Sequence, residues 1–170
     1  KDIANKEIKD RREKSGLTKF ASTYFEPING MYFDVRNASE IVIVEFRIDL
    51  SKSGIMITDG NAVVPKTRKL NFYSSNFVEI MELLKKNIVN PYRGPDSFLD
   101  SSEFQEQRRM YQAECLVPDK ISRDCIKSIQ IAGVTNYRNT ISYVDGLIAK
   151  SGLSIKRKIM CHSPPGIIRE

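Results

Sequence analysis

An acidic residue, Glu114, stands inside the otherwise apolar segment Gln112–Val117. A carboxylate on such a strand is either a solvent-facing surface group or an acid held rigidly at the wall of a cleft. A strand suits the second role because its supporting backbone does not move. Arg108 and Arg109 come shortly before Glu114 and would place positive charge at the lip of that cleft. The two interpretations differ in one observable, which is the exposure of the carboxylate.

A second candidate site follows the turn Asp59-Gly60-Asn61, where Lys66, Arg68 and Lys69 precede Phe72-Tyr73. Basic side chains neutralise phosphates, and exposed aromatic rings stack on nucleobases. The segment is therefore either a nucleic-acid-binding surface or an ordinary solvated loop after a turn.

The cysteines and the single histidine do not form a recognisable site. Cys115, Cys125 and Cys161 are odd in number and lack C-x-x-C spacing, which argues against a disulfide framework and a zinc site. His162 is the only residue that could serve in a Ser-His-Asp or Cys-His arrangement, and it lies close to the end of the sequence. The common phosphate-binding and metalloprotease motifs are also absent from the sequence. We therefore expect no metal.

The composition describes an ordinary globular protein with a basic excess. The 170 residues correspond to one domain, and 41% hydrophobic and 28% charged residues exclude disorder and a coiled coil. The net charge is +6, and the excess lies in residues 1–19 and 150–170. No apolar run reaches the ~20 residues of a membrane span. A polyanionic partner is favoured and a membrane is not expected.

Hydrophobic patterning predicts an α+β protein in which short strands position the candidate residues. The stretch from Val89 to Gln107 is polar, contains two prolines and is expected to lack regular structure. Helices are predicted over Lys1–Lys14, Asn76–Asn87 and Ser142–Ala149, and strands near Tyr24–Met31, Ile41–Ile48, Gly54–Thr58, Gln112–Val117, Ile126–Ile131 and Ile155–Met160.

Four short blocks follow one another along the sequence, namely Ile8 to Arg12, Tyr24 to Met31, Ile57 to Ala62 and Gln107 to Val117. In this order they resemble the I-x-x-x-R, Y-F-x-P-R-x-P-M, F-T-D-G-N-A and R-x-Q-A-E-x-L-[VI] segments of the DarT family, which are DNA ADP-ribosyltransferases of bacterial toxin–antitoxin systems. The most specific part is Gln112-Ala113-Glu114.

The resemblance implies a reaction and a fold. The family cleaves NAD+ at the nicotinamide–ribose bond and transfers ADP-ribose to a base of single-stranded DNA. On this chain, Glu114 would be the catalytic carboxylate and Arg12 the functional arginine, with Arg11 as the alternative in register. The implied fold is ADP-ribosyltransferase-like, with split, mainly antiparallel β-sheets flanked by helices in a single domain over residues 1–170.

The resemblance also implies the binding residues and the partners. Arg11, Tyr24 and Met31 would bind NAD+, the only co-substrate expected, and the Val89–Gln107 segment would recognise the target. The expected partner is a macrodomain antitoxin of the DarG type. The expected oligomeric state is a monomer, and the expected location is the bacterial cytoplasm. DNA would be contacted by a set of basic residues, namely Lys66, Arg68, Arg93, Arg108 and Arg109.

Departures from the family pattern leave alternatives open. Ile28 and Gly30 replace an arginine and a proline, and the family's N-terminal histidine-containing segment has no counterpart. Either an upstream segment is missing, as the absent initiator methionine favours, or this member does not use NAD+. The competing functions are a non-catalytic nucleic-acid-binding relative, a transferase acting on protein or RNA, and an NAD+ glycohydrolase.

Overall fold

A four-stranded and a three-stranded β-sheet organise the chain, and each belongs to a different unit of the computed structural model. The structure describes residues 6–25, 41–86, 102–132, 137–152 and 154–160. Unit 1 is formed by residues Lys1–Gly30 and Asp49–Ile121, and unit 2 by Met31–Ile48 and Ser122–Glu170. The predicted α+β class is confirmed, while the single domain stays a prediction.

The helices and strands have the following bounds along the described residues. The helices are α1 (Lys6–Lys14), α2 (Phe77–Lys86), α3 (Ser102–Met110) and α4 (Tyr137–Ser151). The strands are β1 (Phe20–Tyr24), β2 (Ile41–Phe46), β3 (Met56–Thr58), β4 (Lys69–Leu70), β5 (Glu114–Pro118), β6 (Ile126–Ala132) and β7 (Lys156–Met160). Single 3-10 turns lie at Leu17–Lys19 and Arg123–Cys125.

The sheet of unit 1 has the order β1-β5-β3-β4, with every neighbouring pair antiparallel. Helix α2 packs on it because Phe77, Ile80 and Leu84 recur at helical spacing and are all buried. A second cluster contains Leu17, Ala62 and Leu116. Strand β5 contributes Leu116 to this cluster, and Glu114 and Cys115 at its start are also buried, so its first residue lies in a closely packed surrounding.

The sheet of unit 2 has the order β2-β6-β7. Strand β2 pairs antiparallel with β6, whereas β6 and β7 are parallel. A parallel pair needs a crossover, and helix α4 provides it and packs against β6. Glu45 on β2 accepts hydrogen bonds from Lys127 and Ser128 of β6.

One predicted segment is partly wrong. Residues 102–107 were expected to lack regular structure, but they belong to helix α3. The helix is mostly polar and therefore has no apolar stripe to reveal it, yet Glu, Gln and Arg are good helix formers. Residues 89–101, the remainder of the Val89–Gln107 segment, lie outside the described residues. Among the described helices, none is long and apolar enough to cross a membrane.

Candidate active site

Glu114 is the first residue of β5, and its side chain is 1% exposed. The solvent-facing interpretation is therefore excluded. Its nearest neighbour on one side is Tyr24, the cross-strand partner on β1. On the other side lies Thr58 of β3, which is fully buried. The expected acid on a strand is thus present, enclosed between two antiparallel neighbours.

Two donors from distant parts of unit 1 hold the Glu114 carboxylate. The backbone N–H of Ala62 donates to Oε1 at 2.9 Å, and Arg12 Nη1 donates to Oε2 at 3.4 Å. Arg12 also donates from Nη2 to the hydroxyl of Ser22 on β1. Because Arg12 is 23% exposed, the ion pair links the buried carboxylate to the surface of the unit.

The backbone of Glu114 is fixed as firmly as its side chain. Its N–H donates to Thr58 Oγ1 at 2.8 Å, and the Thr58 hydroxyl donates to the carbonyl of Gly60 at 2.6 Å. Glu114 is therefore bound both by Thr58, the last residue of β3, and by Ala62 in the segment that follows it. Such preorganisation is what a catalytic carboxylate needs, since it removes the cost of reorientation during the reaction.

Asp59, in the same turn, is a buried acid that binds two arginines. It is 2% exposed and accepts from the backbone N–H and Nε of Arg68 at 2.9 and 2.8 Å. Arg109 adds a bidentate contact at 2.9 and 3.3 Å. Burial by itself would raise the pKa of Asp59, but the hydrogen bonds from Arg109 and Arg68 outweigh it and hold the pKa below its ordinary value.

Arg109 is clamped between two carboxylates. In addition to its contact with Asp59, Arg109 donates from Nε and Nη2 to Glu106, which lies one turn earlier on α3. These hydrogen bonds lower the pKa of Glu106 and raise that of Arg109. The arginine thereby ties α3, which leads into β5, to the turn that holds Glu114.

Gly60 is required by the close packing of this cluster. A Cβ at this position would lie 2.9 Å from Arg109 Nη1 and 3.1 Å from Thr67 Oγ1. The buried hydroxyl of Thr67 has no hydrogen-bond partner among the described residues. The nearby Cys115 thiol is buried, which raises its pKa to about 11, so it is not a thiolate nucleophile at neutral pH.

Of the expected catalytic and NAD+-binding residues, the structure brings three together. Arg12 contacts Glu114, and Tyr24 pairs with Glu114 across the sheet. Arg11 is turned away, because it is exposed and pairs with Glu7 on its own helix. Met31 lies outside the described residues. The structure thus favours Arg12 over Arg11 as the partner of the carboxylate.

The residues expected to bind DNA lie in different settings. Lys66 and Arg108 are exposed. Arg68 and Arg109 are committed to Asp59, so their assignment to DNA stays a prediction. Arg93 lies outside the described residues. Within the described ranges, no group of acidic, cysteine and histidine side chains could hold a metal ion.

The sequence interpretation assigned no role to Asp59, Ser22 and Ala62. Asp59 was visible as part of a turn motif after a strand, and that motif was the available signal. Its arginine partners lie nine and fifty residues away, and no local pattern reveals such pairs. The Ala62 contact uses a backbone N–H, which any residue but proline supplies.

A family model described as the ssDNA thymidine ADP-ribosyltransferase DarT matches residues 1–162. The chain belongs to the DarT family. The resemblance carried by the four sequence blocks is therefore confirmed. A comparison with curated proteins finds no match.

Several solved DarT structures share the fold. Thermus sp. 2.9 DarT in complex with ADP-ribosylated ssDNA is 19% identical with a TM-score of 0.67, covering 94% of this chain and 79% of the other. The same protein in complex with NAD+ is 18% identical with a TM-score of 0.59, covering 85% and 71%. Thermosipho africanus DarTG in complex with ADP-ribose is 20% identical with a TM-score of 0.62 and 94% coverage of this chain. This chain spans only 40% of that DarTG chain.

Proposed function

We propose that this chain transfers ADP-ribose from NAD+ to thymidine in single-stranded DNA, with Glu114 and Arg12 as its catalytic pair. The observation that carries the proposal is the buried Glu114 carboxylate, held at Oε1 by the Ala62 N–H and facing Arg12 at Oε2. The family membership supports the reaction class, and the geometry supports the choice of these two residues.

The reaction exchanges one bond at the ribose for another. The bond from ribose C1′ to nicotinamide breaks, nicotinamide leaves with the electron pair, and C1′ becomes oxocarbenium-like. A base nitrogen then forms the new bond to C1′ and releases its proton to solvent water. A fixed carboxylate stabilises the positive charge on the ribose, and it does so without reorganising.

The residues around Glu114 divide the remaining tasks. Arg12 holds the carboxylate in one orientation, and its partly exposed guanidinium is available to the phosphates of NAD+ or to the base that loses a proton. Tyr24 on β1 is the cross-strand partner of Glu114, so its aromatic ring and hydroxyl group lie on the same face of the sheet as the carboxylate. These residues fit a nucleotide co-substrate because they combine a cation, an aromatic surface and an anion for the ribose.

The test uses the full chain with NAD+ and single-stranded oligonucleotides that differ in thymidine content. Mass spectrometry should detect one added ADP-ribose on thymidine-containing strands and none on strands without thymidine. Glu114→Gln keeps the size of the side chain and an acceptor for the Ala62 N–H, so it should fold normally and abolish the product. Glu82→Gln, which removes an exposed acid from α2, is the matched control.

Other outcomes identify the competing functions and contradict the proposal. Modification of RNA or protein alone would assign another acceptor. Release of nicotinamide without any acceptor would indicate an NAD+ glycohydrolase. Salt-sensitive DNA binding without consumption of NAD+ by the full chain would indicate a non-catalytic relative.

We also propose a DarG-type macrodomain antitoxin as partner and the bacterial cytoplasm as location. The support is the Thermosipho africanus DarTG structure, which matches this chain over 94% of its length. Reversal of DNA modification by such an antitoxin, measured on the modified oligonucleotide, tests the partner. Persistence of the adduct would contradict it.

A further inference from the structure

An uninterrupted basic stretch borders the candidate active site. Residues 60–78 contain no acidic side chain and carry three basic ones, Lys66, Arg68 and Lys69. Arg68 is bound to Asp59. Lys66 and Lys69 are exposed and form no ion pair with the described residues. Two uncompensated cations therefore remain on this surface.

Two aromatic rings are exposed beside these lysines. Tyr73 is 80% exposed and Phe72 46%, and their rings meet edge to face at 5.5 Å. Phe72 also packs at 5.2 Å on Phe77, which is buried in the core. Asn71 holds the backbone below the rings, since its Oδ1 accepts from the Tyr73 N–H at 3.1 Å. Tyr73 thus presents an open face on a fixed support.

Lys69 lies two strands away from Glu114 in the sheet of unit 1. Lys69 on β4 pairs with Thr58 on β3, and Thr58 is bonded to the backbone of Glu114 on β5. Neighbouring strands are roughly 4.8 Å apart, so two strand spacings place the Lys69 backbone about 10 Å from that of Glu114. Tyr73 follows Lys69 by four residues. The rings lie on the other side of edge strand β4, because Phe72 packs on Phe77, which clusters with Ile57, the neighbour of Thr58 whose side chain lies on the opposite face. A bound strand that contacts both Glu114 and Tyr73 therefore passes over this edge.

We propose that Lys66, Lys69, Phe72 and Tyr73, called the Tyr73 patch, bind the single-stranded DNA beside the target thymidine. Tyr73 stacks on an unpaired base, and the two lysines contact phosphates. Bases in a duplex are already stacked on one another, so an open ring of this kind selects single-stranded nucleic acid. The inference rests on the proposed function, because the Tyr73 patch would bind nucleotides that flank the thymidine to which ADP-ribose is transferred.

Fluorescence anisotropy with a labelled single-stranded oligonucleotide tests the patch without requiring turnover. Tyr73→Ala should weaken binding about tenfold, the usual scale for loss of one base stack. Tyr73→Phe keeps the ring and should bind as the wild type does. Val78→Ala removes an exposed apolar side chain from α2 and is the matched control. The double variant Lys66→Gln/Lys69→Gln should bind DNA with a weaker salt dependence. The slope of log K against log salt concentration should become shallower by roughly 0.7 for each lost phosphate contact.

An abasic scan of the oligonucleotide locates the stacked base. In the wild type, removal of one base next to the target thymidine should weaken binding, and in Tyr73→Ala the same removal should have no further effect. This double-mutant comparison distinguishes stacking from a general loss of structure. In steady state, Tyr73→Ala should raise KM for DNA about tenfold while kcat and KM for NAD+ stay unchanged.

The outcomes separate this inference from the proposed function. Binding of Tyr73→Ala equal to that of the wild type, with no abasic position depending on Tyr73, would overturn the patch even if ADP-ribose transfer is detected. Failure of transfer on every oligonucleotide would overturn the function, and the anisotropy and abasic data would still decide the patch. An equal loss of affinity for duplex DNA or for an acidic peptide would also overturn it, since neither offers an unpaired base.

Discussion

Arg12 donates from one guanidinium nitrogen to Glu114 and from the other to Ser22, so a single side chain spans from helix α1 to strands β1 and β5. The neighbouring Arg11 points to Glu7 instead. The side chains of these two consecutive arginines therefore extend from helix α1 in different directions. That distinction supports Arg12 over Arg11 in the register of the I-x-x-x-R block, which the sequence left open.

Exchange of Arg12 for lysine should therefore impair turnover more than the same exchange at Arg11. An ammonium group is a single point of charge and does not hold Glu114 and Ser22 simultaneously as a planar guanidinium does. We expect kcat to fall about 100-fold in Arg12→Lys, as for a misplaced catalytic group. Arg11→Lys should remain close to the wild type. The measurement is ADP-ribose transfer to a saturating oligonucleotide, and a larger defect in Arg11→Lys would reverse the assignment.

The Asp59–Arg109 pair should stabilise unit 1. Asp59→Asn leaves two arginines without their common counter-ion, and loss of one partner of a buried pair costs about 3–5 kcal/mol. Both arginines are partly exposed, so solvent screening reduces the cost to about 2 kcal/mol. Urea unfolding followed by circular dichroism measures it. Asp49→Asn removes an exposed acid but keeps an oxygen that accepts the hydrogen bonds from Ser51, so it should leave the midpoint near the wild-type value. An equal shift in both variants would refute the role of Asp59.

How well each element was predicted depends on whether its determinants are local. Helix α2 was predicted within a residue at each end because Phe77, Ile80 and Leu84 form one buried stripe. Helix α3 was missed at residues 102–107 because it is mostly polar. The two-residue strand β4 was also missed, since its existence depends on pairing with β3 and not on its own sequence.

The site shows the same division between local and long-range determinants. Glu114 was predicted as a site residue because an acid within an apolar segment is unusual, and the resemblance of the family blocks then predicted Arg12. The clamp of Arg109 between Asp59 and Glu106 could not be predicted, because its buried half joins residues fifty positions apart. Arg109 was accordingly expected at a DNA surface, whereas its nitrogens all donate to carboxylates.

The stability conferred by Asp59 should depend on pH in a defined direction. Because its folded pKa lies below the ordinary value of 3.8, the contribution is complete above that value and is lost as the pH falls through the folded pKa. The difference in unfolding free energy between wild type and Asp59→Asn should therefore be constant near neutral pH and shrink progressively as the pH falls below about 5 towards the folded pKa. Urea titrations over this range measure it, and a difference that grows on acidification would contradict the depressed pKa.

Gly60 and Gly146 offer a matched pair, because alanine should have opposite effects at the two positions. At Gly60 the new Cβ would lie 2.9 Å from the clamped Arg109 Nη1, and overpacking of this kind costs about 1–3 kcal/mol. Gly146 lies within helix α4 with nothing within 4 Å of a new Cβ. Alanine there should stabilise the protein by about 0.5–1 kcal/mol, since glycine loses more backbone freedom in a helix.

Thermal and urea unfolding of the two glycine variants check the signs. Gly60→Ala should also lose transfer activity, since the displaced turn carries the Ala62 N–H that holds Glu114. Gly146→Ala should retain wild-type activity with a raised midpoint. A Gly60→Ala protein with unchanged stability and activity would mean that the Arg109 side chain moves aside at no cost, and that the clamp does not position the catalytic carboxylate.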